Sequence, residues 1–473
     1  MTMPAGLLSP SQEPTPVWID PRCPELPASL LKPEGPPPAE PKGLWIWVVR
    51  ALIVAALGVT VWASVSYRAF EPMILFARAH VWARFFVRPW ILWALMGGLL
   101  WVCRAALWFL YRPQPPVSLS EAPSLTVVIP AFNEGPMVEK TIDSVVAAHY
   151  PRERLEIVAV DDGSRDDTWR FIERAARRHG GLVTPVRFPA NRGKRAALEE
   201  GFRRASGEIV VTLDSDSLIE RETLLAIAGP FRDPSVGAVA GKVQVYNRRE
   251  GLIPRMLQVR FTITFDVLRA AQSTYRTVFC CPGALSAYRT SVVRQVLDRW
   301  MAQTFLGVPC TYGEDRALTN WILEDGYDTL YQQTAVVHTL MPRTYGKLCR
   351  MYLRWERSFI REEVHFARLV WKRPLRYRLL ALYEMIITDL RYPATYLSMG
   401  LLAWLVWRDP LALPRMLVTI GAFASVYTVY YLRSERSWDF IFGVFYAYFS
   451  FFALFWIFPY ALVTVRARAW LTR

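Results

Sequence analysis

The sequence predicts a largely parallel β-sheet with helices on both faces, placed between apolar segments that could cross a membrane. Between residues 124 and 340, short apolar runs alternate with helical segments, which is typical of chains that build parallel sheets. Three of the runs end in carboxylate or amide side chains, and ligands bind such sheets at the carboxyl ends of the strands. Apolar spans precede and follow this region.

Before the predicted sheet, residues 1–43 are proline-rich, and we expect them to be a disordered cytosolic tail. No basic segment precedes an apolar one at the start, which argues against a signal peptide. We expect two spans, at about 44–66 and 89–111, within a membrane part that covers 44–111. By the positive-inside rule, the arginines between these spans favour a cytosolic connection. A cytosolic domain after the two spans would instead place this connection outside, so the two expectations conflict.

Four apolar runs of residues 124–340 have the length and composition of buried strands: Leu125–Ile129, Leu155–Val160, Glu208–Leu213 and Val236–Val239. Four segments with helical periodicity are interleaved with them: Met137–Ala148, Thr168–His179, Arg195–Ala205 and Glu220–Ala228. We expect another helix over Ala317–Leu323, just after the acidic pair Glu314-Asp315.

After the sheet region, the pattern over Arg350–Arg378 favours an amphipathic helix in the membrane interface, within an interface segment at 341–378. An ordinary surface helix packed on the domain is the alternative. Residues 379–473 contain further apolar spans at about 392–407, 412–431 and 440–464. Three spans would leave the chain end outside, so we expect 440–464 to be broken or re-entrant at Pro459, or 379–407 to contribute differently.

The composition limits the classes of partner. The chain has 473 residues, a net charge of +15, and 53% hydrophobic residues, which fits a protein that is partly in the membrane. Its arginines flank apolar spans, so we expect anionic lipids and phosphate-bearing substrates and no nucleic acid. The six cysteines have neither zinc-ligand spacing nor a disulfide pattern, which is typical of reduced cytosolic thiols.

Asp214 and Asp216 follow an apolar strand and are separated by one small residue. Both carboxylates could reach one Mg²⁺ or Mn²⁺ ion, which is commonly completed by substrate phosphates and water. The alternative is a solvated turn.

Other polar groups follow the remaining strands. Asn133-Glu134 and Asp161-Asp162 end two of them, and Asp161-Asp162 is suited to hydrogen-bonding a base or ribose. The Asn191–Arg195 segment sets cations before a helix, where they could meet phosphate, although a solvated charge run is the simpler reading. Glu314 and Asp315 could cap a helix or supply a general base.

These motifs together resemble the membrane-embedded family 2 glycosyltransferases. The resemblance rests on their order: VVIPAFNE, VDDGS, NRGKR, DSD, FCCPGALSAYR, TFLGVPCTYGEDRALTN and LRWERSFIRE, with Trp470–Arg473 at the end. Within this family the chain is similar to hyaluronan synthases and rhizobial chitooligosaccharide synthases. The resemblance implies a cytosolic GT-A type nucleotide-diphospho-sugar transferase domain at 124–340, embedded in a helical transmembrane channel with interface helices.

The resemblance also implies roles for individual residues. The UDP moiety would be held by these residues: Asn133, Glu134, Asp161, Asp162, Lys194, Asp214 and Arg354. Asp214 and Asp216 would bind Mg²⁺ or Mn²⁺, and Asp315 would be the base, supported by Glu314. The acceptor or polymer would be bordered by Cys281, Gly283, Ala284, Leu285 and Trp355.

Three departures from the family pattern concern specificity. Met351 and Tyr352 stand where hyaluronan and chitooligosaccharide synthases have two glutamines. Pro282–Leu285 replaces a Ser-Gly-Pro-Leu type sequence, and the chain ends Trp-Leu-Thr-Arg in place of Trp-Gly-Thr-Arg. The polar contacts at the diphosphate and the acceptor specificity could therefore differ.

The implied function is processive, inverting polymerisation of UDP-GlcNAc with UDP-GlcA into a hyaluronan-like polysaccharide, which is translocated across the plasma (inner) membrane by a multi-pass protein. The TFLGVP stretch and Tyr383-Glu384 favour hyaluronan. A chitin or chitooligosaccharide product from UDP-GlcNAc alone is the first alternative, favoured by the GEDR tetrapeptide. Transfer of one sugar to a lipid carrier is the second. The growing polysaccharide and membrane lipids are the other expected partners, and the oligomeric state stays open.

Overall fold

The computed structural model describes residues 84–435 and 438–467, with a few single positions between 55 and 80. Within this part the strands are β1 (Leu125–Ala131), β2 (Leu155–Asp161), β3 (Val183–Arg187), β4 (Ile209–Leu213), β5 (Ser217–Ile219), β6 (Val236–Val245), β7 (Leu285–Arg289), β8 (Thr304–Phe305), β9 (Val308–Pro309) and β10 (Asp328–Thr339). The predicted tail at 1–43, nearly all of the predicted span at 44–66, and Trp470–Arg473 lie outside the described residues.

Eight strands form one mixed sheet in the order β3-β2-β1-β4-β7-β6-β10-β5, and β8 pairs with β9 separately. Neighbours from β3 to β4 are parallel, as are β6 and β10. β7 runs antiparallel to both β4 and β6, and β5 antiparallel to β10. The strand end after β4 therefore lies beside the loop that enters β7.

Helices of the α/β domain follow the strands: α2 (Met137–Val146), α3 (Thr168–His179), α4 (Lys194–Arg204), α5 (Thr223–Ala228), α6 (Leu252–Phe261), α7 (Leu268–Thr274), α8 (Thr290–Met301) and α9 (Glu314–Glu324). A π-helical turn, Thr262–Val267, joins α6 to α7. Helix α1 (Arg84–Leu110) precedes the domain.

Two hydrophobic cores lie on opposite faces of the sheet, because successive strand residues point to opposite sides. Val127 and Ile129 of β1 belong to one core, whereas Val128 packs in the other with Phe202 and Trp300. All residues of β1 and β4 are buried, as expected for strands covered on both faces. The prediction of an α/β domain with a mostly parallel sheet is confirmed.

The predicted strands correspond to β1, β2, β4 and β6, and the first four predicted helices to α2–α5, with ends that differ by a few residues. Four strands of the sheet were missed: β3, β5, β7 and β10. The edge strand β3 contains Pro185 and alternates in burial, so it lacks the continuous apolar run of an inner strand. The predicted helix Ala317–Leu323 begins earlier, at Glu314.

After the domain come α10 (Tyr345–Leu369), α11 (Leu375–Arg408), α12 (Ala412–Glu435), α13 (Ile441–Ala453) and α14 (Ile457–Val463). The predicted helix at 350–378 is thus interrupted before Pro374, and residues 379–407 are part of one helix that contains Pro393. The break predicted at Pro459 lies earlier, between Ala453 and Ile457. Pro459 is in the first turn of α14, where a backbone N–H has no intrahelical acceptor and proline is tolerated.

Within the described residues, no single helix has the length and apolar character needed to cross a membrane. The pair α13 and α14 meets the criterion jointly, with a bend of 48° between the two helices. A shorter apolar stretch, Met96–Leu110, occupies the second half of α1.

Candidate active site

The carboxyl ends of β1, β2 and β4 border a cavity of about 1690 Å³ that continues away from the sheet, between α10 and the α6–α7 segment, to α1 and α11. Polar residues that follow these strands line its sheet end: Glu134, Asp162, Asp214 and Asp216. Parallel strands bring such residues to one edge, as the sequence predicted. One end of the cavity is therefore charged, and the opposite end is formed by helices.

Asp161 and Asp162 have different places. Asp162 lines the cavity and accepts hydrogen bonds from the backbone N–H groups of Arg192 (2.7 Å) and Gly193 (2.8 Å). Burial raises the pKa of Asp162, although these two N–H groups oppose the shift. Asp161 is fully buried below the cavity, where it accepts from the N–H of Ser164 at 3.0 Å and faces Arg187. Asp162 thus shapes the loop before α4, and Asp161 holds the turn after β2.

Asn133 supports the same turn. It has a positive φ of 54°, its N–H donates to Ser164 Oγ at 3.0 Å, and its Oδ1 accepts from the N–H of Arg165 at 2.9 Å. The side chain therefore links the loops after β1 and β2. Glu134 is the member of this pair that lines the cavity.

The acids after β4 present hard oxygen ligands to the cavity. Asp216 Oδ1 lies 3.3 Å from the hydroxyls of both Ser217 and Thr339, while Asp214 faces Lys194. Within the described residues, no group of three or more His, Cys, Asp or Glu side chains could enclose a metal ion. Two carboxylates on an open cavity fit Mg²⁺ or Mn²⁺ sites that are completed by phosphate and water oxygens.

Lys194 joins the acids of two different elements. Its Nζ lies 2.5 Å from Asp214 Oδ1 and 3.0 Å from Glu314 Oε1. Burial would lower the pKa of Lys194, but the two carboxylates outweigh burial and raise it, so the ammonium stays charged. Gly283 allows this approach, because a Cβ there would lie only 2.8 Å from the Lys194 Nζ.

Glu314 and Asp315 begin α9 after Gly313, which adopts the left-handed conformation at φ 74°. Trp300 donates from its indole N–H to the Glu314 carbonyl at 3.0 Å and fixes the start of the helix. Asp315 accepts from the N–H of Gly283 at 3.2 Å and from its neighbour Arg316 at 2.7 Å. The second acid of the pair is thereby aimed at the loop that enters β7.

The two acids are electrostatically distinct. Burial would raise the pKa of Glu314, but the Lys194 ammonium and the Arg354 guanidinium hold it below its usual range. Burial raises the pKa of Asp315 as well, and there the negative charge of Glu314 adds to the effect. The two neighbouring carboxyl groups therefore have pKa values shifted in opposite directions.

The loop before β7 contributes Pro282, Gly283 and Ala284 to the cavity wall. Cys280 also lines the cavity, with its Sγ 3.8 Å from Asp315 Oδ2. Cys281 is fully buried and points to the opposite side, into the core under α9. Leu285 is likewise a core residue, paired with Leu213 in the sheet.

Helix α10 covers the cavity with Arg354 and Trp355. The Trp355 ring packs edge-on against Tyr352 at 5.5 Å and beside Phe261 at 6.1 Å. Tyr352, at one of the positions that depart from the family pattern, shares a 2.8 Å hydrogen bond between hydroxyl groups with Tyr446 of α13. At this position, tyrosine in place of glutamine connects α10 to α13.

The far part of the cavity is lined by Glu384, from the Tyr383-Glu384 pair noted in the sequence, and by residues that the sequence did not indicate. Gln272 donates to Glu384 at 2.5 Å, and Arg104 lies 3.5 Å from the same carboxylate. Arg260 and Arg269 face the cavity from the α6–α7 segment, and no carboxylate of the described residues lies within ion-pair distance of either. The signal that could have found them is the presence of arginines within an otherwise apolar helical stretch.

Residues 126–297 match the sequence profile of Glycosyl transferase family 2. The chain is 35% identical over 248 residues to an N-acetylglucosaminyltransferase of Rhizobium meliloti (strain 1021), covering 52% of this chain and 58% of that protein. It is 34% identical over 279 residues to a hyaluronan synthase of Streptococcus pyogenes, covering 58% of this chain and 65% of that protein. The chain thus spans less than two thirds of either relative.

Among solved structures, the chain is similar to the mannosyltransferase PcManGT from Pyrobaculum calidifontis, solved in complex with GDP-Man and Mn²⁺. The TM-score is 0.49 at 23% identity, and the match covers 88% of this chain and 97% of that chain.

Proposed function

We propose that this chain is a membrane-embedded, processive and inverting glycosyltransferase that polymerises UDP-activated sugars, because residues 126–297 match the profile of Glycosyl transferase family 2. The observation that carries the proposal is the meeting of Asp214, Glu314 and Asp315 around Lys194, with Asp216 on the wall of the same cavity, which continues to α1 and α11. The charged end suits a nucleotide diphosphate, and the remaining length suits a polymer.

The donor binds at the sheet edge. Glu134 and Asp162 face the base and ribose, and Asn133 and Asp161 hold the turns that position them. Lys194 and Arg354 meet the diphosphate with charge-assisted hydrogen bonds. Asp214 and Asp216 would hold Mg²⁺ or Mn²⁺, and the bound cation would supply Lewis-acid chemistry at the leaving diphosphate.

Asp315 is the general base. The acceptor hydroxyl gives its proton to the Asp315 carboxylate while its oxygen attacks the anomeric carbon, and the bond from that carbon to the UDP oxygen breaks. The bonding electrons leave with UDP, and the new glycosidic bond has inverted configuration. The raised pKa of Asp315 strengthens it as a base, whereas Glu314 stays ionised. Cys280, Gly283 and Ala284 border the acceptor, and Trp355 stacks on its ring.

We propose that the polymer is hyaluronan-like and built from UDP-GlcNAc with UDP-GlcA. Arg260 and Arg269 support a carboxylated chain, since both guanidinium groups line the cavity, where they can meet a carboxylate of the polymer. Arg269 is 7% exposed, donates its Nε to the Cys280 carbonyl at 2.8 Å and packs on Phe265. Its guanidinium is thus held rigidly beside the acceptor loop, which suits recognition of a carboxylate.

Chitin or chitooligosaccharide synthesis from UDP-GlcNAc alone is the second candidate. It is favoured by the identity of 35% to the rhizobial N-acetylglucosaminyltransferase, as close as the hyaluronan synthase match at 34%. Transfer of a single sugar to a lipid carrier is the third candidate, and it would need no cavity beyond the acceptor site.

The proposed location is the plasma (inner) membrane, with the α/β domain in the cytosol and the polymer leaving between α1 and α11. The support is the exposure of large apolar side chains on the helices around the domain, among them Leu397, Trp407, Phe445 and Val463. Trp371 and Leu375 are exposed beside several basic residues between α10 and α11, a composition suited to lipid headgroups.

In the decisive experiment, purified protein is incubated with Mn²⁺ or Mg²⁺ and with radiolabelled donors. UDP-GlcNAc and UDP-GlcA are supplied singly and together. We expect long polymer only when both donors are present. Polymer from UDP-GlcNAc alone would establish the second candidate, and a single labelled sugar on lipid the third. The variant Arg269→Met should lower the rate of transfer to glucuronate-ended acceptors more than the rate to N-acetylglucosamine-ended ones. Equal losses of rate would mean that Arg269 gives no support to a carboxylated polymer. Absence of transfer with every donor would overturn the proposal as a whole.

A further inference from the structure

Lys194 lies between two acids at the centre of the cation site. Its Nζ is 2.5 Å from Asp214 Oδ1, and the oxygen of Glu314 on its other side is at 3.0 Å. Only 19% of the Lys194 side chain is exposed, against 29% of Asp214 and 8% of Glu314. The ammonium therefore neutralises the carboxylate that a divalent cation would need.

The Lys194 ammonium and a divalent cation compete for the carboxylate of Asp214. Lys194 occupies Asp214 Oδ1, so while this ion pair persists Asp214 offers a cation only its second oxygen, and the neighbouring ammonium repels that cation. Asp216 alone is a weak site, since Mg²⁺ and Mn²⁺ need about six oxygen ligands in total. Within the described residues, the protein offers no cluster of three candidate ligands that would compensate.

A nucleotide diphosphate changes this balance. It brings further oxygen ligands for the cation and anionic oxygens for the lysine. Lys194 is the first residue of α4, and its neighbours Arg192 and Gly193 already have their N–H groups fixed by Asp162. The lysine side chain can therefore turn from Asp214 to phosphate about a fixed backbone, at a helix N-terminus that itself favours anions.

We infer that Lys194 is an internal counter-ion that makes the divalent cation and the nucleotide bind as a pair. In the free protein its ammonium holds Asp214 and Glu314 and keeps the cation out. When the nucleotide diphosphate binds, the ammonium moves to phosphate and Asp214 is released to the metal. The role of Asp214 as a ligand in this inference rests on the proposed function; the coupling is a property of binding and needs no turnover.

The test measures Mn²⁺ binding to the full-length protein by the loss of the free Mn²⁺ signal in electron paramagnetic resonance, with and without UDP. We expect weak binding of Mn²⁺ alone and binding at least about tenfold tighter with saturating UDP, within the usual range of coupling between sites. By reciprocity, Mn²⁺ must tighten UDP binding by the same factor, which calorimetry measures.

The variant Lys194→Met should bind Mn²⁺ alone more tightly than the wild type and should lose most of the gain from UDP. Lys194→Arg keeps the charge and should retain the weak binding of Mn²⁺ alone. Lys140→Met, on α2, removes the same charge away from this cavity and should behave as the wild type. Thermal unfolding of each variant shows whether the fold is kept.

Equal Mn²⁺ affinity with and without UDP in the wild type would overturn the inference. So would a Lys194→Met variant that folds and binds Mn²⁺ alone no better than the wild type. A protein that shows the coupling but transfers no sugar would overturn the proposed function and leave the counter-ion role standing. Transfer without the coupling would do the reverse.

Discussion

The hydroxyl of Tyr312 donates a 2.7 Å hydrogen bond to the carbonyl of Ala467, the last described residue of the chain. Arg357 of α10 binds the hydroxyl of Thr464 in the same segment, with its Nη2 at 2.8 Å. The residue directly before the Gly313 turn is thus attached to the C-terminal segment, which lies far from it in sequence. We therefore expect the geometry of Glu314 and Asp315 to depend on the Gly313 turn and on the C-terminal segment attached to it.

Replacing Tyr312 by Phe should reduce kcat about 2- to 10-fold, the effect of losing one net hydrogen bond. The fold should persist because the buried ring stays. Steady-state polymer synthesis measures the effect. The matched control is Tyr345→Phe, which removes a similar 2.6 Å hydrogen bond to the carbonyl of Ala453, away from the Gly313 turn. Equal losses in both variants would mean that the Tyr312 contact has no special connection with the site.

Asp315→Asn should lower the rate of transfer by about 10²–10⁴-fold, because the acceptor hydroxyl then lacks a base. UDP binding should be nearly unchanged, since Asp315 contacts Gly283 in the loop proposed to border the acceptor. Calorimetry with UDP and single-turnover transfer assays separate the two effects. Asp298→Asn, at a surface acid whose side chain is 89% exposed, is the control. Transfer at the wild-type rate in Asp315→Asn would show that another group is the base.

The pH dependence should carry the signature of the acid pair. Asp315 must be deprotonated to act, so activity falls as the pH drops through its pKa, which burial and Glu314 raise above the usual range of an aspartate. Glu314→Gln removes the neighbouring negative charge and should move the acid limb of the kcat/KM profile to lower pH. Rate profiles between acidic and neutral pH measure the shift. A limb that stays in place would contradict the coupling between the two acids.

Gly313→Ala should destabilise the protein by about 2 kcal/mol or more, from a left-handed backbone and an overpacked contact together. At this position φ is 74°, and a Cβ would lie 1.8 Å from Ser358 Oγ. Gly346→Ala, near the start of α10, has open space at the Cβ and should be neutral or slightly stabilising. Thermal unfolding compares them, and similar melting temperatures would contradict the structural explanation.

The parts of the site that the sequence indicated are those with a local signal. Asp214 and Asp216 follow a continuous apolar run, and Glu314-Asp315 precedes a helical pattern. The end of the strand and the start of the helix could therefore be predicted from the sequence. The convergence of Asp214, Glu314 and Asp315 around Lys194 was not visible, because it depends on a contact between α4 and the start of α9 that no local pattern encodes.

Adjacent pairs show where sequence reasoning stops. In an extended segment, neighbouring side chains point to opposite sides, but a pair of identical letters does not reveal which one faces the cavity. Asp162 faces it and Asp161 does not; Cys280 lines it while Cys281 packs in the core. The direction of β7 was equally hidden, since a strand has the same apolar pattern in either orientation.

The reversed direction of β7 has a consequence for how the specificity could be exchanged. Because β7 enters the sheet beside the end of β4, the loop proposed to border the acceptor and the acids proposed to face the nucleotide are neighbours in space but belong to separate stretches of chain. Most of the groups proposed to face the nucleotide precede β6, and most of those proposed to face the polymer follow it. A chimera joined within Val236–Val245 would therefore take the polymer half of the cavity from a related protein as one continuous segment. The nucleotide half would keep the residues of this chain.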